Sequence, residues 1–289
     1  ETSQHISRIS GRLICMTEYI AAGNTIVVAD TEDFIAEHIL KCGQVFRYCE
    51  TQAGYAVHAG KETCAIWQDG RGKAILECSD AEYFVKYFDL NRDYSAIRAA
   101  VADDGIMSKA VEFGKGLRIL RQEPIEMIFS FIISANNHIP RIRCIIERLC
   151  DGLGEDCGGY RSFPTLDALA AADIKFYDGL GAGYRAEYLY STARALKEEI
   201  VPLELSVDTR QAGLQLMRLK GVGRKVADCI LLFGYGRTDV YPVDTWIKKV
   251  ALEYYGIESK AREYFLARYG NMSGYAQQYM YYYKRELNK

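Results

Sequence analysis

The sequence predicts an α+β protein: an N-terminal antiparallel β-sheet domain followed by a mostly α-helical region. Three observations predict it. Short β-branched and aromatic runs, set apart by turn residues, fill 24–78. Beyond the Asp89–Asp93 connector, apolar spacing becomes helical nearly throughout, with Gly or Pro dividing the segments. No apolar run approaches the roughly 20 residues needed to span a bilayer, so no membrane partner is expected.

Taken in order, residues 1–15 carry no secretory pattern and are expected to be an extension outside the fold, native or appended. The sheet domain is assigned to 16–100. Its expected strands are TIVVAD, GQVFRYCE, AGYAVHAG, ETCAIWQ and KAILEC, with turns at Thr51–Gly54 and Asp69–Gly72. A helix is expected over 31–40, and Ser79-Asp80 can cap another that carries Tyr83, Phe84, Tyr87 and Phe88. The remaining chain, 101–289, is expected to hold helices near 104–116, 123–135, 140–151, 165–180, 184–200, 207–218, 223–234, 244–255, 259–268 and 273–286.

Composition narrows the function classes. The chain has 289 residues, 49% of them hydrophobic and 26% charged, as an ordinary globular protein does. A formal net charge of −2 excludes nucleic-acid binding through bulk charge, so any such contact needs a local basic face. The nine cysteines are odd in number and form no CxxC pair, which fits free thiols in an intracellular reducing compartment. They also lack the tight C-terminal cluster that holds an iron-sulfur centre. The four histidines, at 5, 38, 58 and 138, form no ligand set, so no metal is expected.

The chemistry concentrates in Leu214–Trp246. Leu214 and Met217, then Val226, Ala227, Ile230, Leu231 and Phe233, are spaced as two helices around a tight hairpin, Lys220-Gly221-Val222-Gly223. The glycines expose backbone NH groups and the second helix turns its positive end the same way, which suits a phosphate at Gly221, Val222 and Gly223. From Arg218 to Lys225 there are four basic residues and no acidic one. A plain turn between packed helices would also use such glycines.

Lys225 makes the stronger statement. It stands in the first turn of that helix, where the dipole and apolar neighbours both favour a neutral, nucleophilic amine. Cys229 is one turn further along the same face, and Asp244 is placed to cap the next helix.

LKGVGRKVADC followed by VYPVD resembles the helix-hairpin-helix DNA glycosylases, and within them the 8-oxoguanine DNA glycosylases of the type first known in eukaryotes. The likeness runs from about Cys42 to Tyr281. It implies a bifunctional glycosylase and lyase that turns 8-oxoguanine out of duplex DNA opposite cytosine, acting as a monomer and needing no cofactor. Lys225 and Asp244 would be catalytic, with Lys225 attacking C1′ to give a Schiff base. Gly43, Cys229, Gln277 and Tyr281 would hold the lesion: Gly43 through a carbonyl facing N7–H, Gln277 on the Watson–Crick edge, Tyr281 and Cys229 against the two faces. Asn136 and Arg141, in Asn136-Asn137-His138-Ile139-Pro140-Arg141, would fill the vacated space and contact the estranged cytosine; Tyr184 and Arg185, in Gly181–Arg185, would supply the wedge and a second cytosine contact.

Two positions depart from the family. Trp246 stands where the animal enzymes carry a histidine, with Lys248 and Lys249 as other sources of a phosphate contact, and Tyr281 replaces the usual phenylalanine. A non-catalytic DNA binder would explain the glycines and basic residues but not Lys225, Cys229 and Asp244 together. A monofunctional glycosylase for alkylated bases would need the aspartate but not the lysine.

Overall fold

A computed structural model describes residues 17–69 and 72–288, so the expected extension at 1–15 and the centre of the Asp69–Gly72 turn lie outside the described residues. In chain order the strands are β1 (Tyr19–Ala22), β2 (Thr25–Val28), β3 (Tyr48–Glu50), β4 (Tyr55–Ala59), β5 (Glu62–Gln68) and β6 (Ala74–Cys78). The helices are α1 (Ala36–Lys41), α2 (Ala81–Tyr87), α3 (Tyr94–Val101), α4 (Gly105–Phe113), α5 (Pro124–Ser134), α6 (Ile139–Leu153) and α7 (Leu166–Ala171). They continue with α8 (Ile174–Gly179), α9 (Arg185–Lys197), α10 (Thr209–Leu216), α11 (Arg224–Gly234), α12 (Thr245–Tyr255), α13 (Ala261–Tyr269) and α14 (Ser273–Glu286).

The strands form one antiparallel sheet in the order β1-β2-β6-β5-β4-β3. Alternation sets its buried face: Ile26 and Val28, Val57 and Ala59, Cys64 and Ile66, and Ala74, Leu76 and Cys78 point inward. They pack on Phe34, Ile39 and Leu40 and on Phe84, Val85 and Phe88. A second, larger core lies within the helices, where α5 and α11 are buried almost all round.

The elements differ from expectation in five places. β1 is an additional edge strand whose mostly exposed side chains leave no alternation to read. The run at 43–50 pairs only at Tyr48–Glu50: Gly43 takes a positive φ of 82°, and buried Gln44 bonds to the carbonyls of Ile39 and Arg118 and the amide of Leu120. Helix α3 follows the connector directly, capped by Asp93. The segment 165–180 divides into α7 and α8 because the Asp173 side chain accepts from Phe176 N and starts a new helix. The helix expected from 31 begins only at Ala36, after a 3₁₀ turn.

Sheet and helices are stitched through Arg118, which is fully buried. Its guanidinium donates to the Phe88, Asp33, Asp89 and Arg92 carbonyls and the Thr17 hydroxyl. This leaves α5, α11 and α14 facing the Gly43 segment across one small cavity. No helix among the described residues is long and apolar enough to cross a membrane.

Candidate active site and DNA-binding face

The cavity is lined by Gly43, Phe131, Lys225, Cys229, Phe233, Pro242, Asp244, Gln277, Gln278 and Tyr281. It therefore brings together all six residues expected to perform the chemistry or hold the lesion, from segments more than 200 positions apart in sequence. Close helix packing makes this possible: a β-carbon on Gly234 of α11 would stand only 3.1 Å from Met127 Cβ and 3.2 Å from Pro124 Cα of α5. Phe131 of α5 then lies over the amine, with Lys225 Nζ 5.6 Å from its ring centroid.

At Lys225 the charges facing the amine run against the expected neutral form. Burial does pull its ammonium down, but the facing Cys229, Asp244 and Tyr281 raise it above its ordinary value. Lys225 therefore rests protonated and must lose that proton to act. Burial also pushes the Cys229 thiol up, to about 11, so at neutral pH Asp244 supplies the charge that holds the ammonium. The Asp244 carboxyl lies above its usual range through burial, while its bond from Ile247 N (2.9 Å) and the nearby Lys225 favour the carboxylate. One carboxylate thus caps α12 and faces the amine.

Helix α14 builds another side of the cavity. Gln278 Nε2 donates to the Cys42 carbonyl at 2.8 Å and Arg285 Nη2 to that of Lys41, fixing the chain beside Gly43. Among the described residues the Gly43 carbonyl accepts no hydrogen bond. Gln277 is 4% exposed, and its Oε1 also has no partner. Leaving buried acceptors unpaired costs about 1–3 kcal/mol each, a cost that an incoming donor removes.

At the hairpin, Gly221 has φ +83° and a β-carbon there would fall 2.3 Å from the Tyr188 ring, so only glycine fits. Among the described residues the Gly221 and Gly223 amides donate to nothing, and α11 starts without a side-chain cap. The Val222 amide, by contrast, is spent on the Leu219 carbonyl at 3.1 Å, and its side chain is buried. Val222 anchors the turn, leaving the two glycines as its free anion donors.

Two loops carry the remaining residues. Asn136 is exposed with φ +50°, and Tyr184 is 56% exposed. Arg141, also exposed, donates to the Gly181 carbonyl at 3.0 Å. Arg185 differs: it is 3% exposed and donates to the carbonyls of Ala135, Asn136 and Ala182. Each loop is thus held by an arginine from the other, and Arg185 is not presented at the surface as a base-reading side chain. Trp246 stacks under Lys249, whose Nζ is 4.7 Å from its ring.

Sequence reasoning missed Phe131, Phe233, Pro242, Gln278 and Arg285 as parts of the site. The two phenylalanines sit in helices buried almost all round, where nothing distinguishes a pocket wall from core.

Comparison with known proteins decides the family. Residues 26–128 match the N-terminal domain of 8-oxoguanine DNA glycosylase, and 129–269 match the HhH-GPD superfamily of base excision DNA repair proteins. The 8-oxoguanine glycosylase/lyase of Clostridium acetobutylicum, solved with double-stranded DNA containing cytosine opposite 8-oxoG, superposes with a TM-score of 0.88 at 35% identity, covering 94% of this chain and 99% of that one. The chain belongs to the 8-oxoguanine DNA glycosylase/lyase family. A probable N-glycosylase/DNA lyase of Methanothermobacter thermautotrophicus is 31% identical over 67% of this chain and 71% of its own length. The N-glycosylase/DNA lyase OGG1 of Arabidopsis thaliana is 29% identical over 81% of this chain and 73% of its own.

Proposed function

We propose that this family member removes 8-oxoguanine from duplex DNA opposite cytosine and then cuts the abasic strand, with Lys225 as nucleophile and Asp244 as its electrostatic partner. The observation that carries this reading is the placement of Lys225. It is a half-buried lysine whose amine faces one carboxylate, in a cavity whose other polar groups, the Gly43 carbonyl and Gln277 Oε1, await donors. 8-Oxoguanine presents such donors: N7–H on one edge, N1–H and the exocyclic amine on the other.

The step balances as follows. The Lys225 ammonium gives up its proton to the departing base, and the amine nitrogen attacks C1′ while the C1′–N9 bond breaks with its electrons on N9. Asp244 stabilises the positive charge that develops at C1′. The C1′–O4′ bond then breaks, O4′ taking a proton from the attached nitrogen, to leave a protonated Schiff base; a proton leaves C2′, and the 3′ phosphate departs with the electrons of the C3′–O bond by β-elimination. This places the enzyme in intracellular DNA repair, with damaged duplex DNA as its partner.

Gly221 and Gly223 would hold a backbone phosphate, and Tyr184 and Asn136 would enter the gap left by the base. Arg141 reaches the estranged cytosine by giving up one bond to Gly181. Arg185 contributes by holding the Asn136 loop, and contacts the base only if those carbonyls are released. Excision should be measured on four duplexes that differ only in the base opposite 8-oxoguanine. Cytosine should be preferred, with the preference falling about tenfold in Arg141→Ala, the worth of one good base contact. Equal rates on all four duplexes would contradict the reading.

A further inference from the structure

Tyr281 does more in this pocket than present a ring. Its hydroxyl lies 3.0 Å from where a β-carbon on Gly43 would stand, with Arg285 Nη1 3.2 Å from the same point. Arg285, 7% exposed, donates to that hydroxyl at 3.4 Å, and its other donors go to the Lys41 carbonyl and to Glu286. The phenol oxygen thus has an acceptor's role already filled. Its own hydrogen goes to no described group. Burial keeps the phenol protonated at neutral pH, raising it above its ordinary value.

Two unused groups of opposite polarity therefore stand side by side on one wall, an acceptor at the Gly43 carbonyl and a donor at the Tyr281 hydroxyl. The five-membered ring of 8-oxoguanine shows the complementary pair, N7–H beside the C8 oxygen. Guanine shows an N7 acceptor beside C8–H.

Resting on the proposed function above, we propose that the Tyr281 hydroxyl, held against Gly43 by Arg285, donates a hydrogen bond to the C8 oxygen of the lesion, the ring meeting the base through its hydroxyl edge rather than stacking on its face. Tyr281 is then a specificity-determining residue, and Arg285 is the positioning residue behind it. The guanidinium also polarises the phenol into a better donor. Lesion recognition on this edge uses two hydrogen bonds rather than one.

The test compares excision of 8-oxoguanine with that of its 8-thioxo analogue, which keeps N7–H but replaces the C8 oxygen by a poorer acceptor. Tyr281→Phe, which keeps the ring, should lower single-turnover excision of 8-oxoguanine about three- to tenfold, the worth of one hydrogen bond. The 8-thioxo rate should fall much less, so the ratio of the two rates drops. Arg285→Met should lower the same ratio by a smaller factor, whereas a merely structural role would lower both rates together. An unchanged ratio in Tyr281→Phe, or a faster 8-oxoguanine reaction, overturns the proposal. Borohydride trapping of the wild-type protein on an abasic duplex, with no base in the pocket, separates the two readings. If trapping occurs and the ratio is unchanged, only the role of Tyr281 is lost; if trapping fails, the Lys225 mechanism beneath it fails.

Discussion

Two clusters of ionisable groups with shifted pKa values contrast: one lines a cavity, and the other braces the junction of sheet and helices. Around Lys225 a cavity opens beside the charges, and unpaired acceptors line it. At the junction of sheet and helices, Arg47, Glu126 and His58 form the other cluster, and none of them lines that cavity. Arg47 is 1% exposed, donates to the Arg161 carbonyl and lies 3.7 Å from Glu147. Glu126 is pushed up to about 7 by burial, although Arg47 and a bond from the Gly60 amide oppose the shift. His58, stacked on Tyr160 at 4.3 Å, is lowered to about 4 by burial and by Arg47. A shifted pKa is thus common to both clusters. What distinguishes the Lys225 cluster is room for a ligand, since unpartnered polar atoms occur in both, at Gln277 Oε1 and at Arg47 Nε and Nη1.

The largest expected effect breaks the pocket. Lys225→Gln should abolish strand cleavage and slow base loss by roughly a thousandfold or more, since the nucleophile is gone, while duplex binding persists. Gel assays of both products, beside a binding titration, check this. Asp244→Asn comes next: asparagine still caps α12, so the fold should hold while excision falls about 10²–10³-fold from loss of the carboxylate charge. A variant that melts well below the wild type would assign Asp244 to capping alone.

The smallest effect belongs to the junction and concerns stability alone. The folded pKa of Glu126 is raised above its ordinary value of 4.5, so between 4.5 and about 7 the folded state binds more protons than the unfolded one. Its contribution is therefore favourable at low pH and is lost as pH rises through that window. Glu126→Gln should flatten this dependence and raise stability above pH 7 by about 1–3 kcal/mol, read from denaturant melts at pH 5 and pH 8. Excision rates should stay at the wild-type level. A loss of excision in Glu126→Gln would join the two clusters functionally and break the comparison.

The order of elements and the hairpin were legible from periodicity and glycine placement, because those signals are local. Lys225, Cys229 and Asp244 were legible as a group for the same reason: they lie within 20 positions of one another. Gly43 and Gln277 were assigned only through family resemblance, since nothing local predicts that they meet across the fold. The charge state of Lys225 was misread because the sequence offers the helix dipole and apolar neighbours but not the facing Asp244. The resemblance implies a cytosine contact for Arg185, and nothing local in the sequence signals that its donors go to the carbonyls of the Asn136 loop, a tertiary contact 49 and 50 positions away. Strand β1 left no trace because an exposed edge needs no alternation.

In the proposed mechanism one amine, that of Lys225, forms the covalent bond to the sugar. Reduction with borohydride during turnover on 8-oxoguanine duplex, followed by digestion and mass spectrometry of the adduct, addresses it directly. The account predicts a single DNA-linked peptide modified at Lys225. Efficient base excision with no adduct, or an adduct at another amine, would contradict it.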